Sequence, residues 1–320
     1  FSTDLMDCDA WQWLDRVFSS TCFTITAVER DGRIYGRGAA DMKSAIAAYI
    51  SAVITFLKNK DFKFNGSISF LLTADEEGEA FFGTKKVVEW LEKKKIKLDF
   101  CLVGEPTNPL KLGEMVKIGR RGSLNGVITV NGKQGHVAYP DFAKNPIDGV
   151  LTICNQLKLP LDKGSKAFQP SNLVITSIDV DNMVTNLIPN KAYIKFNIRF
   201  NDNFSSKNLI KLLHDRLNKT GEDYNLEVKV SGESFFNFSE KLTQAVVNSI
   251  KKVRKIKPEL STTGGTSDAR FISKICPVIE FGLIGETMHQ INENVAIKDI
   301  KDLNNIYLNF LENIFSDKFF

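Results

Sequence analysis

Cysteine and histidine are scarce in this 320-residue chain, and no long uninterrupted apolar run is present. The five cysteines (Cys8, Cys22, Cys101, Cys154, Cys276) are odd in number, widely spaced and free of any C-x-x-C pair. That argues for reduced thiols in a cytoplasmic setting rather than a disulfide framework. No run reads as long enough to cross a bilayer and no secretory signal is expected, so a membrane location is not anticipated. Charge of one sign is also lacking. The net +4 is spread over scattered lysines, densest at 93–95 and 251–257, with no aromatic-interleaved basic stripe. Nucleic acid is therefore not an expected partner. A hydrophobic fraction of 43% and a charged fraction of 25% are those of a globular protein with one large core or two moderate ones.

The stretch around which the chain is organised is residues 67–78, SISFLLTADEEG. Ile68, Phe70, Leu71 and Leu72 read as a strand covered on both faces. It ends in Asp75, Glu76 and Glu77, with Gly78 as a stop. An isolated acidic triplet is ordinarily a solvated turn, but chemistry gathers at the carboxyl ends of strands in open α/β sheets. Three crowded carboxylates repel one another unless a cation or protons neutralise them.

Other segments end in the same way. A turn at Asp31-Gly32 leads through a short strand to GRGAAD and then to a helical pattern from Ala45 to Phe56, which puts Asp41 at a glycine-rich strand-to-helix junction. Helix N-capping is the plain role for an aspartate there. A helix over 83–95 is followed by an apolar strand, LDFCLV, that ends in Gly104-Glu105-Pro106. This alternation predicts an α/β catalytic domain with a mixed, largely parallel sheet. The pattern then changes. Residues 122–232 read as β-α-β-β-α-β, the ferredoxin-like order, of a normal domain size. The expected division is therefore 1–121 with 233–320, interrupted by an inserted α+β domain at 122–232.

Asp41, Glu76, Glu77, Glu105 and His289 all fall just past expected strands. Carboxylates with a histidine suit a zinc site with an open position, or a bridged pair of zinc ions. A neighbouring carboxylate that binds no metal can then take the proton from an activated water.

GRGAADMK, LLTADEEG, VGEPT, KIGRRGS, GHVAYP, TGGTSDARF and MHQINE, in that order, resemble the co-catalytic zinc aminoacylase and carboxypeptidase family. The resemblance implies a zinc-peptidase-like catalytic domain with a dimerising lid. It also implies a cytoplasmic hydrolase that binds two Zn²⁺ per subunit, with Co²⁺ able to replace one. Asp41 would bridge the ions, Glu77 and His289 would hold one, and Glu105 would hold the other. Glu76 would be the general base. Arg120, Gly265 and Thr266 would meet substrate carboxylates, and Asn186 and Arg199 would contact substrate from the lid. His136 would reach the active site of a second copy and help hold a developing oxyanion, whereas His214 lies in no motif. Among the family's reactions, GRRGS, GHVAYP and GGTSDARF favour release of succinate from N-succinyl-LL-2,6-diaminopimelate, in lysine and diaminopimelate biosynthesis. Deacetylation of acetylornithine is the runner-up.

The resemblance also implies a His-x-Asp strand upstream of GRGAAD, yet no histidine precedes His136. Ser2-Thr3-Asp4 aligns weakly with it. On this reading the Asp41–Glu77–His289 site is complete and its neighbour is one ligand short. The chain as it stands is expected to bind one zinc more tightly than the second and to be a poor hydrolase, with an inactive remnant that only dimerises as the alternative.

Overall fold

The computed structural model describes residues 27–78 and 80–316. Cys8, Cys22 and the Ser2-Thr3-Asp4 alignment lie outside the described residues. The chain forms two compact units. One takes the described residues up to Ile118, then Asn237–Ser261 and those from Ser267 onward. The other takes Gly119–Phe236 with Thr262–Thr266. The glycine-rich loop at 262–266 thus clusters with the second unit rather than with the sequence on either side of it.

In chain order the first unit supplies β1 (Val28–Arg30), β2 (Arg33–Tyr35), α1 (Ser44–Asn59), α2 (Thr84–Lys94), β3 (Cys101–Val103) and β4 (Met115–Lys117). The second unit supplies β5 (Gly119–Arg120), β6 (Gly122–Asn131), β7 (Gly135–His136), α3 (Pro146–Leu157) and β8 (Asn172–Asp179). It continues with β9 (Leu187–Ile188), β10 (Lys191–Phe200), α4 (Ser206–Asn218), β11 (Tyr224–Gly232) and β12 (Phe235–Phe236). The chain then re-enters the first unit with α5 (Glu240–Arg254), β13 (Glu259–Ser261), α6 (Ala269–Ile272), β14 (Val278–Glu280), β15 (Asn294–Ala296) and α7 (Ile297–Ile314).

In the first unit, Asp31 and Gly32 both take left-handed φ (52° and 70°), the geometry that lets an Asp-Gly turn join β1 to β2. β15 pairs with the other edge of β2. A second sheet has the order β13-β4-β14-β3, with parallel pairs at both ends and an antiparallel contact between β4 and β14, so it is mixed as expected. α1 presents Ala45, Ala48, Ala52, Val53 and Phe56 to the core on helical spacing. It packs on α7, whose Leu303, Ile306, Tyr307 and Phe310 are buried in the same core. Residues Ala39–Asn59 are, by length and composition, apolar enough to cross a bilayer, which corrects the expectation that no such run exists. Their apolar face is filled by protein instead: the Tyr49 and Tyr307 rings meet edge-on at 4.8 Å, and Asn304 Nδ2 donates to the Ala48 carbonyl at 2.9 Å.

Residues 67–72 are not a strand in this structure. Ile68 and Phe70 lean on the core, but Leu71 and Leu72 are exposed. A strand needs a ladder of backbone partners, and none is supplied to this segment by the described residues.

In the second unit the four long strands form an antiparallel sheet in the order β11-β6-β10-β8. β10 buries every second residue, Ala192, Ile194, Phe196, Ile198 and Phe200, beneath α3 and α4. Gly126 on β6 lies directly opposite Phe196, and a Cβ there would sit 2.1 Å from the ring. The aromatic ring occupies the space that glycine leaves.

Candidate metal centre

Three loops of the first unit converge. Asp41 follows β2 and precedes α1; the N-cap position of that helix is Lys43, so the plain capping role does not account for the aspartate. Glu77 lies in a turn shaped by Asp75, whose Oδ2 accepts the Phe82 N–H at 2.9 Å while its own N–H donates to Thr73 Oγ1 at 3.2 Å. Asp75, the first acid of the triplet, is thus a turn-former. His289 sits at φ 61° in the loop before β15, which Thr287 closes by donating to the Asn294 carbonyl at 2.7 Å and accepting its N–H at 3.1 Å.

His289 Nε2 lies 3.2 Å from Asp41 Oδ2 and 3.3 Å from Glu77 Oε1. One ligand atom from each residue falls within 4.8 Å of the others. Separations near 3.3 Å are about the edge of a tetrahedron with arms of about 2.0 Å, so two carboxylates and an imidazole fit a zinc ion with a position left open. Glu76 is half-buried beside this group. Burial, then the charges of Asp268, Glu77 and Asp41, push its carboxyl from 4.5 up to about 7, against a smaller opposing pull from Arg270. Burial raises Glu77 as well, while His289 pulls it back. Glu105 follows β3 and is half-buried. It stands outside the three-residue group, but Gly104 before it abuts Met42, so the two acidic loops meet at their neighbouring residues.

The remaining expected residues are in the second unit. Arg120 is buried and donates from Nη1 to the Gly265 carbonyl at 3.1 Å. Arg199 reaches Thr266 Oγ1 at 3.4 Å and Asn197 Oδ1 at 3.1 Å. These four predicted residues are therefore brought together. Asn186 and His136 are exposed on the small β7–β9 pair, where the Asn186 carbonyl accepts the Val137 N–H at 3.1 Å. His136 Nδ1 accepts the Ala138 N–H at 3.1 Å. His214 is a surface residue within 3.2 Å of the Tyr224 hydroxyl.

A family model described as Peptidase family M20/M25/M40 matches residues 7–313. The chain belongs to that family. A succinyl-diaminopimelate desuccinylase of Pelagibacter ubique is 52% identical over 95% of this chain and 78% of that protein. A second, of Wolbachia pipientis, is 49% identical over 90% and 72%. Among solved structures, the aminopeptidase PepT of Bacillus cereus superimposes with a TM-score of 0.74 at 20% identity, covering 90% of this chain and 76% of that one. The M20 metallo-carboxypeptidase Sso-CP2 of Sulfolobus solfataricus gives 0.73 at 18%, over 89% and 78%. Both share the fold.

Three residues of this family member escaped sequence reasoning. Asp268 heads the causes, after burial, of the raised Glu76 carboxyl. Arg121 donates to Asn172 Oδ1 at 2.6 Å, and its buried Nε has no hydrogen-bond partner among the described residues. Burial, and then Arg199, lowers its guanidinium pKa, so the two cations are close neighbours. The doubled arginine in GRRGS was the available signal. Glu293 is the third, and its signal was its place at the end of MHQINE, four residues after His289.

Proposed function

We propose that the protein is a metal-dependent amide hydrolase that removes succinate from N-succinyl-LL-2,6-diaminopimelate, in lysine and diaminopimelate biosynthesis. The observation that carries this reading is the convergence of Asp41, Glu77 and His289 beside a half-buried Glu76. Membership of the peptidase family and about half identity to the named desuccinylases support it. Asp41, Glu77 and His289 would hold one Zn²⁺, and Asp41 with Glu105 a second, where Co²⁺ can substitute. The bound metal would supply Lewis acidity toward the amide carbonyl and the attacking water. Glu76 takes the water proton as it adds to the carbonyl and returns it to the departing amine. A carboxylate that stands beside the ligands without being one is placed for both steps.

Arg120, Arg199, Gly265, Thr266 and Asn186 bind the carboxylates at the two ends of the substrate, with Arg121 adding a third cation. Arginine's planar fork suits paired carboxylate oxygens. The protein works in the cytoplasm as a homodimer joined through the second unit. Supporting this, Val174 and Ile178 on edge strand β8 and Leu151 on α3 are 51%, 51% and 60% exposed. His136 serves the partner's site and steadies the developing oxyanion.

The test is direct. Zinc-loaded protein is given N-succinyl-LL-2,6-diaminopimelate or N-acetylornithine, and released succinate, acetate and free amine are quantified against a chelator-treated control. Succinate release that the chelator abolishes is expected. No release above the control, or preference for acetylornithine, refutes the assignment.

A further inference from the structure

Glu293 is 3% exposed and lies on the loop that carries His289. Its carboxylate takes four donors. Oε2 accepts the Gly38 N–H at 2.9 Å and Arg37 Nη1 at 3.3 Å. Oε1 accepts the N–H groups of Ala40 at 2.9 Å and Asp41 at 3.0 Å. The Gly36 N–H donates to the Glu293 carbonyl at 3.0 Å.

Residues 37–41 therefore surround a carboxylate with three backbone amides, those of Gly38, Ala40 and Asp41, and one guanidinium, an arrangement usually met around a bound anion. Here the anion is internal. Gly38 makes the wrap feasible with φ 78°, and a Cβ at that position would press on Lys43 at 3.1 Å and on the Asp41 carbonyl at 3.3 Å. The glycines of GRGAAD thus form a cradle for a side chain some 250 residues away. One residue joins the loop of Asp41 to the loop of His289, because the amide it holds is Asp41's own.

We propose that Glu293 is the positioning residue that sets the 3.2 Å approach of Asp41 and His289, and through it the affinity of the first unit for a divalent ion. The inference rests on reading Asp41, Glu77 and His289 as metal ligands.

The test is zinc affinity, measured by competition with a chromophoric chelator and paired with the urea midpoint of the metal-free protein. Glu293→Gln keeps the shape but turns one acceptor into a donor facing the cradle. It should bind Zn²⁺ 10–100-fold more weakly, the range for groups that orient metal ligands. Gly38→Ala disturbs the same cradle without touching Glu293 and should weaken binding too; it also serves if Glu293→Gln does not fold. The double variant should lose less than the product of the two single losses, since both act on one element. Asn304→Ala is the control for general loosening: it removes a bond between α1 and α7, and should lower the urea midpoint while leaving zinc affinity unchanged. Wild-type protein that binds zinc with Glu293→Gln or Gly38→Ala within twofold of it overturns the role of Glu293 alone. A fully multiplicative double variant, or an Asn304→Ala loss as large as that of Glu293→Gln, also overturns it. Wild-type protein with no zinc binding overturns this inference and the metal-centre reading together.

Discussion

Replacing Glu76 by Gln should make the metal-free protein more stable at alkaline pH while removing most of its activity. Burial raises the Glu76 carboxyl from 4.5 to about 7 in the folded chain. A raised carboxyl pKa means that the folded state holds the proton more tightly than the unfolded state does. Its stabilising contribution is then complete below 4.5 and is lost as pH rises through about 7. At 1.36 kcal/mol per pH unit, that interval of about 2.5 corresponds to ~3 kcal/mol, reduced to about 2 kcal/mol because the side chain is only half-buried. Glutamine carries no charge at either extreme. Glu76→Gln should therefore match the wild type near pH 4.5 and exceed it by about 2 kcal/mol at pH 8. Urea unfolding in chelator, followed by tryptophan fluorescence, reads this out, because Trp90 lies on α2 of the first unit. In the zinc-loaded enzyme the same variant should lose about 10²–10⁴ in rate with metal content retained. A stability difference that stays flat from pH 4.5 to 8 would refute the burial argument. Loss of metal instead of rate would make Glu76 a ligand and displace Glu77 from that role.

Three further outcomes are expected. His289→Ala removes the nitrogen donor from the three-residue group and should abolish tight binding of at least one zinc per chain; unchanged stoichiometry and affinity by titration would sink the ligand set. Mixing His136→Ala protein with Glu76→Gln protein should restore part of the activity, since one site of the heterodimer then receives both intact residues; heterodimers that form without recovering rate exclude sharing between subunits. Gly126→Ala forces a methyl group against Phe196 and should destabilise the second unit by about 1–3 kcal/mol, and a urea midpoint equal to that of the wild type would show that the ring moves aside freely.

The periodic parts of this protein are legible in its sequence. The spacing of apolar residues predicts α1 and α2 to within a few residues, and the β-α-β-β-α-β order of the second unit, because one face of each element must be covered. The residue types of the candidate metal group are legible too, since Asp41, Glu77 and His289 stand in short motifs. Residues 67–72 show the limit of such patterns: four apolar residues in six describe a propensity, whereas a strand requires a neighbour to bond with. The same holds for the charges. Glu76, Glu77 and Glu293 are alike as letters. Only the packed chain brings Asp268 beside the first, an imidazole 3.3 Å from the second, and three backbone amides and an arginine around the third. Desolvation and hydrogen bonding act through space, and the partners of Glu293 are more than 250 positions away along the chain. Local composition determines which groups are available for chemistry, and tertiary packing decides which of them are buried, what each one faces, and hence which is suited to be base, ligand or support.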